Sequence, residues 1–128
     1  MKLGKTLVWI NCGLFAGFGL GFVFAPEYLA ALVTGAAPAT PSAVTDMRAT
    51  YGGMALGLAV IFGLGARKDA NVLVGVQGVL AVMVALAGAR SLGMLLDGGP
   101  NIFMFVLLMA EVLMAVLAFL ALRQAKSE

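Results

Sequence analysis

DMRATYGG, residues 46–53, places an acid, a base and a phenol on a chain that is otherwise almost entirely apolar. At helical spacing, Arg48, Tyr51 and Gly52 fall within one face, and Asp46 flanks that face about one turn away. The segments on either side are long apolar runs. We therefore expect these polar side chains to lie on a membrane helix, with the rest of the chain arranged around them.

Composition sets the fold class. The chain has 128 residues, of which 62% are hydrophobic and 11% are charged, and its mean hydropathy is +1.07. Globular proteins have about 45–50% apolar and about 25% charged residues, and several apolar runs here reach the ~20 residues that cross a bilayer. The sequence predicts an all-α integral membrane four-helix bundle that forms a single domain over residues 1–128.

The residue types that are absent exclude several chemistries. Cys12 is the single cysteine, and the chain has no histidine. An intramolecular disulfide, a thiolate metal cage and a histidine base are therefore excluded. No phosphate-binding loop, zinc spacing or heme attachment motif is present. We predict no cofactor, no metal and no nucleic-acid partner.

The apolar runs and their breakers predict the order of elements. Transmembrane helices are expected over 6–25, 41–65, 70–96 and 101–122, with a short amphipathic helix over 27–33 lying in the interface and ending at Gly35. Pro26 after the first run favours a retained helix over a cleaved signal peptide. Residues 36–45 read as a loop, although Pro41 equally suits the first position of the second helix, with Thr40 as its cap.

Small and amide residues predict helix contacts. Gly13, Gly17 and Gly21 recur every four residues and form a flat stripe that another helix can approach closely. Asn11 and Gln77 lie at the same depth, about 9–10 Å from one face of the membrane at a rise of ~1.5 Å per residue. We therefore expect one hydrogen bond between these two side chains.

Basic residues predict the orientation. With four crossings, six of the eight Lys and Arg residues fall on one side: Lys2, Lys5, Arg67, Lys68, Arg123 and Lys126. Cytoplasmic loops carry the excess of Lys and Arg. The prediction is a multi-pass membrane protein with both termini in the cytoplasm.

Five polar side chains reach one layer on the opposite side. At ~1.5 Å per residue, Asp46, Arg48 and Arg90 lie about 8–11 Å below the outer surface, and Tyr51 and Glu111 about 15 Å below it. Charged groups at such depth cost about 2.5–3.5 kcal/mol each on insertion scales, so they should face the interior and pair. Arg90 is the nearest partner in depth for Glu111. Two interpretations stay open: structural pairs that fix helix register, or a site for the polar head of a ligand.

Several of these residues occur in a fixed order along the four predicted spans: Pro26, Asp46, Arg48, Tyr51, Gly52, Gly53, Arg90, Asp97, Gly98 and Glu111. In this order the chain resembles, over essentially its whole length, a domain-of-unknown-function family of small bacterial four-helix membrane proteins, and more distantly the DoxX superfamily. The resemblance implies a four-helix bundle in a bacterial inner membrane and no established reaction. DoxX relatives are linked with redox complexes, which implies an accessory subunit, and some distant relatives handle sterol-like or isoprenoid substrates.

Three functional hypotheses follow. The first is binding of an amphiphilic or isoprenoid-like molecule, such as a membrane lipid, by Arg48, Tyr51, Arg90 and Glu111. The second is an accessory or scaffolding subunit that docks a membrane-protein partner or a second copy through its glycine stripes. The third is an isomerase or epoxide-opening enzyme in which Asp46 or Glu111 is the base and Tyr51 an acid.

Overall fold

The computed structural model describes residues 1–128, and all of its regular secondary structure is helical. Helices α1 to α6 have these bounds: α1 Lys2–Phe24, α2 Pro26–Thr34, α3 Pro41–Met47, α4 Met54–Arg67, α5 Asp69–Asp97 and α6 Ile102–Ser127. A π-helical turn, Arg48–Gly53, joins α3 to α4 without a break. Four continuous segments are long and apolar enough to cross a membrane: Lys2–Phe24, Pro41–Arg67, Asp69–Asp97 and Ile102–Ser127. The predicted four-helix membrane bundle is confirmed.

The helix ends agree with the predicted breakers in most places. Gly35 ends α2 with a φ of 91°, a left-handed conformation that suits glycine. Thr40 caps the second span, since its Oγ1 accepts a hydrogen bond from the backbone N–H of Ala43 at 3.1 Å. Pro41 is therefore the first helical residue, and the predicted loop over 36–45 is wrong beyond residue 40. The π-helical turn was not predicted.

In the bundle, α1 and α5 lie diagonally opposite each other and are in contact. α1 packs most closely against α4 and the π-helical turn and also contacts α5 and α6, while α5 packs most closely against α6 and also contacts α4. One end of the bundle carries both chain termini and the turn at Lys68, and we call it the terminal end. The opposite end, with α2 and the α5–α6 turn, is the loop end.

One interaction ties the helices at each end. At the terminal end, the Nζ of Lys5 lies 2.8 Å from an oxygen of Asp69. At the loop end, the amide nitrogen of Asn101 donates to the carbonyl of Val33 in α2 at 3.0 Å. The side-chain oxygen of Asn101 also accepts from the backbone N–H of Met104 at 3.1 Å and so caps α6.

The apolar core lies in the terminal half. It comprises ten buried residues contributed by all four spans: Leu7, Val8, Phe62, Ala66, Val72, Val76, Val79, Met83, Ala118 and Ala121. The buried positions of α5 recur at helical spacing and end at Met83. The core-facing surface of α5 is therefore buried only on this side.

The loop half is built differently. α5 has no buried residue after Met83, and α6 has none before Glu111. α1 and the second span still meet closely there, because a Cβ at Gly19 would lie 2.9 Å from the carbonyl oxygen of Gly52. The loop half thus consists of two helix pairs, α1 with the second span and α5 with α6, and α2 contacts both α1 and α6.

The predicted glycine stripe on α1 is not a contact within the bundle. A Cβ at Gly13 or Gly17 would meet no atom within 4 Å, whereas Gly21 approaches Leu29 of α2. The close helix crossing uses Gly19 instead. Because Gly13 and Gly17 lie about 120° and about 160° around the helix from Gly19 at 100° per residue, these two glycines face outward.

The predicted hydrogen bond between Asn11 and Gln77 is wrong. Gln77 is exposed, whereas Asn11 is fully buried. The amide nitrogen of Asn11 donates to the carbonyl of Leu7 at 2.9 Å and to the sulfur of Met114 at 3.7 Å. Its side-chain oxygen is buried without a hydrogen-bond partner. Equal depth did not place the two side chains on facing surfaces.

Candidate functional site

The π-helical turn positions the polar residues of the second span. It begins at Arg48 and ends at Gly53, and such turns add a residue to a helix and occur often at functional sites. Gly52 is the only buried residue of the turn. A Cβ at this position would lie 2.9 Å from the backbone nitrogen of Val23 and 3.2 Å from the carbonyl carbon of Phe22, so the crossing with α1 needs glycine at this position.

Arg48 serves the end of α1. Its Nη1 donates to the carbonyl oxygen of Val23, and the last four carbonyls of a helix have no partner within the helix. A cation at this position also complements the negative end of the helix dipole. The side chain is exposed and forms no ion pair with Asp46. The prediction that charged groups at this depth face the interior and pair is therefore wrong for Arg48 and Asp46.

Asp46 is likewise a surface group. Its Oδ1 accepts a hydrogen bond from the hydroxyl of Thr50, one helical turn later, at 3.3 Å. Asp46 and Thr45 also line a shallow depression at the loop end, together with Pro41, Ser42 and Ala49. Neither this depression nor the one beside it contains Arg90 or Glu111.

Tyr51 faces the bundle in the loop half, outside the apolar core. It lies one turn before Ala55 on the face that later buries Ala59 and Phe62. Its ring packs on Phe22 of α1 with centroids 5.3 Å apart at an angle of 59°. The side chain nevertheless stays 45% exposed, and no hydrogen bond of its hydroxyl is present within the chain.

Arg90 and Glu111 form the one ion pair besides that of Lys5 with Asp69 at the terminal end. The Nε of Arg90 lies 2.9 and 3.0 Å from the two carboxylate oxygens of Glu111, and Nη2 lies 2.6 Å from Oε1. This two-pronged geometry is the strongest that a guanidinium and a carboxylate adopt. The pair predicted from depth and charge is thus confirmed.

The position of this pair follows from helical spacing. Arg90 lies two turns beyond Met83, the last buried residue of α5, and Glu111 lies two turns before Ala118 of α6. Both side chains therefore lie on the same helix faces as the core residues, but in the loop half, which has no apolar core. Glu111 is buried, with 7% of its side chain exposed, whereas 21% of the Arg90 side chain is exposed.

The guanidinium retains donors after these contacts. A guanidinium carries five N–H groups. The Nε–H and one Nη2–H bond Glu111, and one Nη1–H points at the sulfur of Met104 at 3.4 Å. One N–H on Nη1 and one on Nη2 have no partner within the chain. The hydrogen-bonding groups of the pair that remain free therefore include donors of Arg90, which is the more exposed of the two side chains.

The structure thus joins two of the predicted site residues and not the others. Arg90 and Glu111 bond each other, while no hydrogen bond or ion pair links either of them to Asp46, Arg48 or Tyr51. For the enzymatic alternative, Asp46, Tyr51 and Glu111 are not hydrogen-bonded to one another. A carboxylate held by an arginine through both oxygens is suited to fixing structure rather than to exchanging a proton. Catalysis by these residues stays a prediction.

Sequence reasoning missed two residues of this region. Met104 touches the guanidinium, and Asn101 caps α6 while bonding α2. Asn before an apolar run is a cap signal that could have identified Asn101. Nothing in the sequence distinguishes Met104 from the other seven methionines.

Comparison with known proteins gives a family and no activity. The family model described as "Domain of unknown function (DUF4345)" matches residues 3–122. Comparison with curated proteins finds no match, and comparison with solved structures finds none either.

Proposed function

We propose that this chain, which belongs to the DUF4345 family of domains of unknown function, binds an amphiphilic small molecule in the membrane, with the polar head of that molecule at Arg90 and Glu111. The observation that carries the proposal is the position of the ion pair. It lies on core-facing helix surfaces, beyond the last buried apolar residues of α5 and α6. Structural pairing alone would not require two N–H groups to stay unused on a side chain that is 21% exposed.

The surroundings suit an apolar tail. The loop-end stretches of α5 and α6 carry large apolar side chains that stay exposed, among them Leu92, Leu95, Phe105 and Met109. Tyr51 brings an exposed phenol to the bundle-facing surface of the second span. A ligand with a polar head and a hydrocarbon or isoprenoid-like chain would satisfy the free donors and cover this apolar surface.

The test separates binding from a structural role of the pair. The protein would be purified in a mild detergent, and molecules that remain bound would be identified by native mass spectrometry and by extraction. The informative variant is the charge swap Arg90→Glu with Glu111→Arg, which keeps an ion pair between α5 and α6 but moves the guanidinium. If binding uses the guanidinium of residue 90, the swap stays folded and loses the molecule that the wild type retains.

Arg123→Gln is the matched control, because it removes one guanidinium from an exposed position at the terminal end. It should leave ligand occupancy unchanged. Equal occupancy in the wild type, the swap and the control would contradict the proposal.

We also propose that the terminal end faces the cytoplasm of a bacterium and that the ligand site lies in the outer half of the inner membrane. Six of the eight Lys and Arg residues cluster at the terminal end, as expected for a cytoplasmic face. A cysteine placed at Glu128 in a Cys12→Ser background should resist an impermeant thiol reagent in intact cells and react after lysis. Labelling in intact cells would indicate the opposite orientation.

A second candidate function is that of an accessory subunit, and one observation favours it. Gly13 and Gly17 present an outward surface, where an added Cβ would meet no atom of the chain within 4 Å, and small residues allow helices to approach closely in membranes. Crosslinking in native membranes tests this role. Gly13→Leu with Gly17→Leu should abolish a crosslinked species without changing ligand occupancy, and a monomer with no crosslinked partner would exclude it.

A further inference from the structure

We infer that the head group bound at Arg90 is an uncharged hydrogen-bond acceptor, such as an ester, ketone or quinone-type carbonyl, and not an anion. This inference rests on the proposed binding function and narrows its ligand class. It starts from the charge of the pair: one guanidinium and one carboxylate in direct contact sum to zero. The only other ion pair, Lys5 with Asp69, lies at the terminal end of the bundle.

The geometry determines which chemistry the site shows to a ligand. Only 7% of the Glu111 side chain is exposed, so its acceptors are almost completely covered, whereas 21% of the Arg90 side chain is exposed. The two N–H groups left on Nη1 and Nη2 can only donate. A complementary head group must therefore present an acceptor atom, and a head that only donates finds no partner.

The charge balance decides between acceptors. An anionic head next to this pair would leave one net negative charge in a region of low dielectric, and such a charge is costly unless it is paired. The positive charge of Arg90 is already balanced by Glu111 at 2.6 Å. The nearest other guanidinium in the loop half, Arg48, is engaged with the carbonyl of Val23. An uncharged carbonyl gains the hydrogen bonds without adding a charge.

Three probes with the same hydrocarbon chain and different heads test the inference: methyl hexadecanoate, which is uncharged and accepts; hexadecyl sulfate, which is anionic; and hexadecyltrimethylammonium, which is cationic and cannot accept. Each would be added at the same mole fraction to the protein in micelles of an uncharged detergent. Occupancy would be read by native mass spectrometry. For the wild type, the ester should exceed the ammonium by about tenfold, the effect of one hydrogen bond to a charged donor. The ester should also exceed the sulfate, because the sulfate adds a charge that has no partner.

A variant reverses the expected order. Glu111→Gln removes the balancing charge while keeping the shape of the side chain, so hexadecyl sulfate should then bind better than the ester. The double variant Arg90→Gln with Glu111→Gln should lose the preference, and Arg123→Gln should keep the wild-type order. The wild-type order is informative even where Glu111→Gln does not fold.

The outcomes separate the inference from the function on which it rests. Wild-type protein that prefers the sulfate, with no reversal in Glu111→Gln, overturns the uncharged head and leaves the binding function standing. Wild-type protein that retains none of the three probes above the level of the double variant overturns the binding function itself.

Discussion

The two halves of the bundle hold their helices together by different means. In the terminal half, all four spans share one apolar core of ten residues. In the loop half, α1 and the second span meet through glycines, while α5 and α6 are joined by the ion pair of Arg90 and Glu111. Lipid tails are as apolar as the core, so apolar packing alone selects register weakly in a membrane, and polar contacts select it strongly. The comparison indicates that the terminal half provides the scaffold and the loop half provides specific geometry.

Breaking the ion pair should have the largest effect. Arg90→Gln leaves the covered carboxylate of Glu111 without its partner, and removing one member of a buried pair costs about 3–5 kcal/mol of unfolding free energy. The midpoint of thermal unfolding in detergent, followed by the reactivity of Cys12, measures the loss. Cys12 suits this purpose because it is the single cysteine and is only partly buried.

The double variant Arg90→Gln with Glu111→Gln should recover most of the lost stability, because two amides can still hydrogen-bond. Lys5→Gln breaks the exposed pair of the terminal end and should change the midpoint little. An equal loss for Lys5→Gln and Arg90→Gln would contradict the contrast between the two halves.

Adjacent glycines offer a second and smaller test. Gly52→Ala would place a Cβ 2.9 Å from the backbone nitrogen of Val23, and overpacking of this kind costs about 1–3 kcal/mol. Gly53 has open space around it, so Gly53→Ala should raise stability by up to about 1 kcal/mol through helix propensity. The same thermal measurement should show opposite signs, and a loss in both variants would place the contact with α1 elsewhere.

Two substitutions of Asn101 separate its two roles, which are capping α6 and donating a hydrogen bond to α2. Asn101→Ala removes both, with a cost of about 0.5–2 kcal/mol for a lost cap. Asn101→Asp keeps the acceptor that bonds the N–H of Met104 and loses the donor that bonds Val33. Stability between that of the wild type and Asn101→Ala is expected, and identical midpoints for Asp and Ala would assign the whole effect to the bond with α2.

The smallest expected effects compare a buried and an exposed valine on α5. Val79 is fully buried in the terminal half, whereas Val84 is 55% exposed at the start of the loop half. Val79→Ala removes two buried carbons and should cost about 1.6 kcal/mol, at ~0.8 kcal/mol for each, and Val84→Ala should be close to neutral. A measurable loss at Val84 would show that the loop half of α5 is covered, by a ligand or a second chain, under the conditions of the experiment.

The fold could be predicted from the sequence to the extent that it depends on distance along a helix. Apolar run length, the prolines at 26 and 41 and the glycine at 35 determine where spans begin and end, and depth grows by a fixed rise per residue. That arithmetic was enough for Arg90 and Glu111, because opposite charges at one depth in hydrocarbon have a strong reason to find each other.

What depends on rotation about the helix axis could not be predicted. Asn11 and Gln77 share a depth but point in different directions, and neither has a charge to enforce a contact. The same uncertainty made Gly13 and Gly17 candidates for packing when Gly19 was the residue in contact. The π-helical turn compounds the problem, since one extra residue rotates everything that precedes it, and no residue pattern in 48–53 signals that insertion.

The two hydrogen bonds of Asn101 connect α2 to the ion pair through Met104. Its amide holds the last turn of α2 with one atom and the first turn of α6 with the other, through the N–H of Met104. The sulfur of Met104 in turn rests against the guanidinium of Arg90. We therefore expect a tilt of this short helix to displace the Met104 side chain and to change its contact with the N–H groups of Arg90.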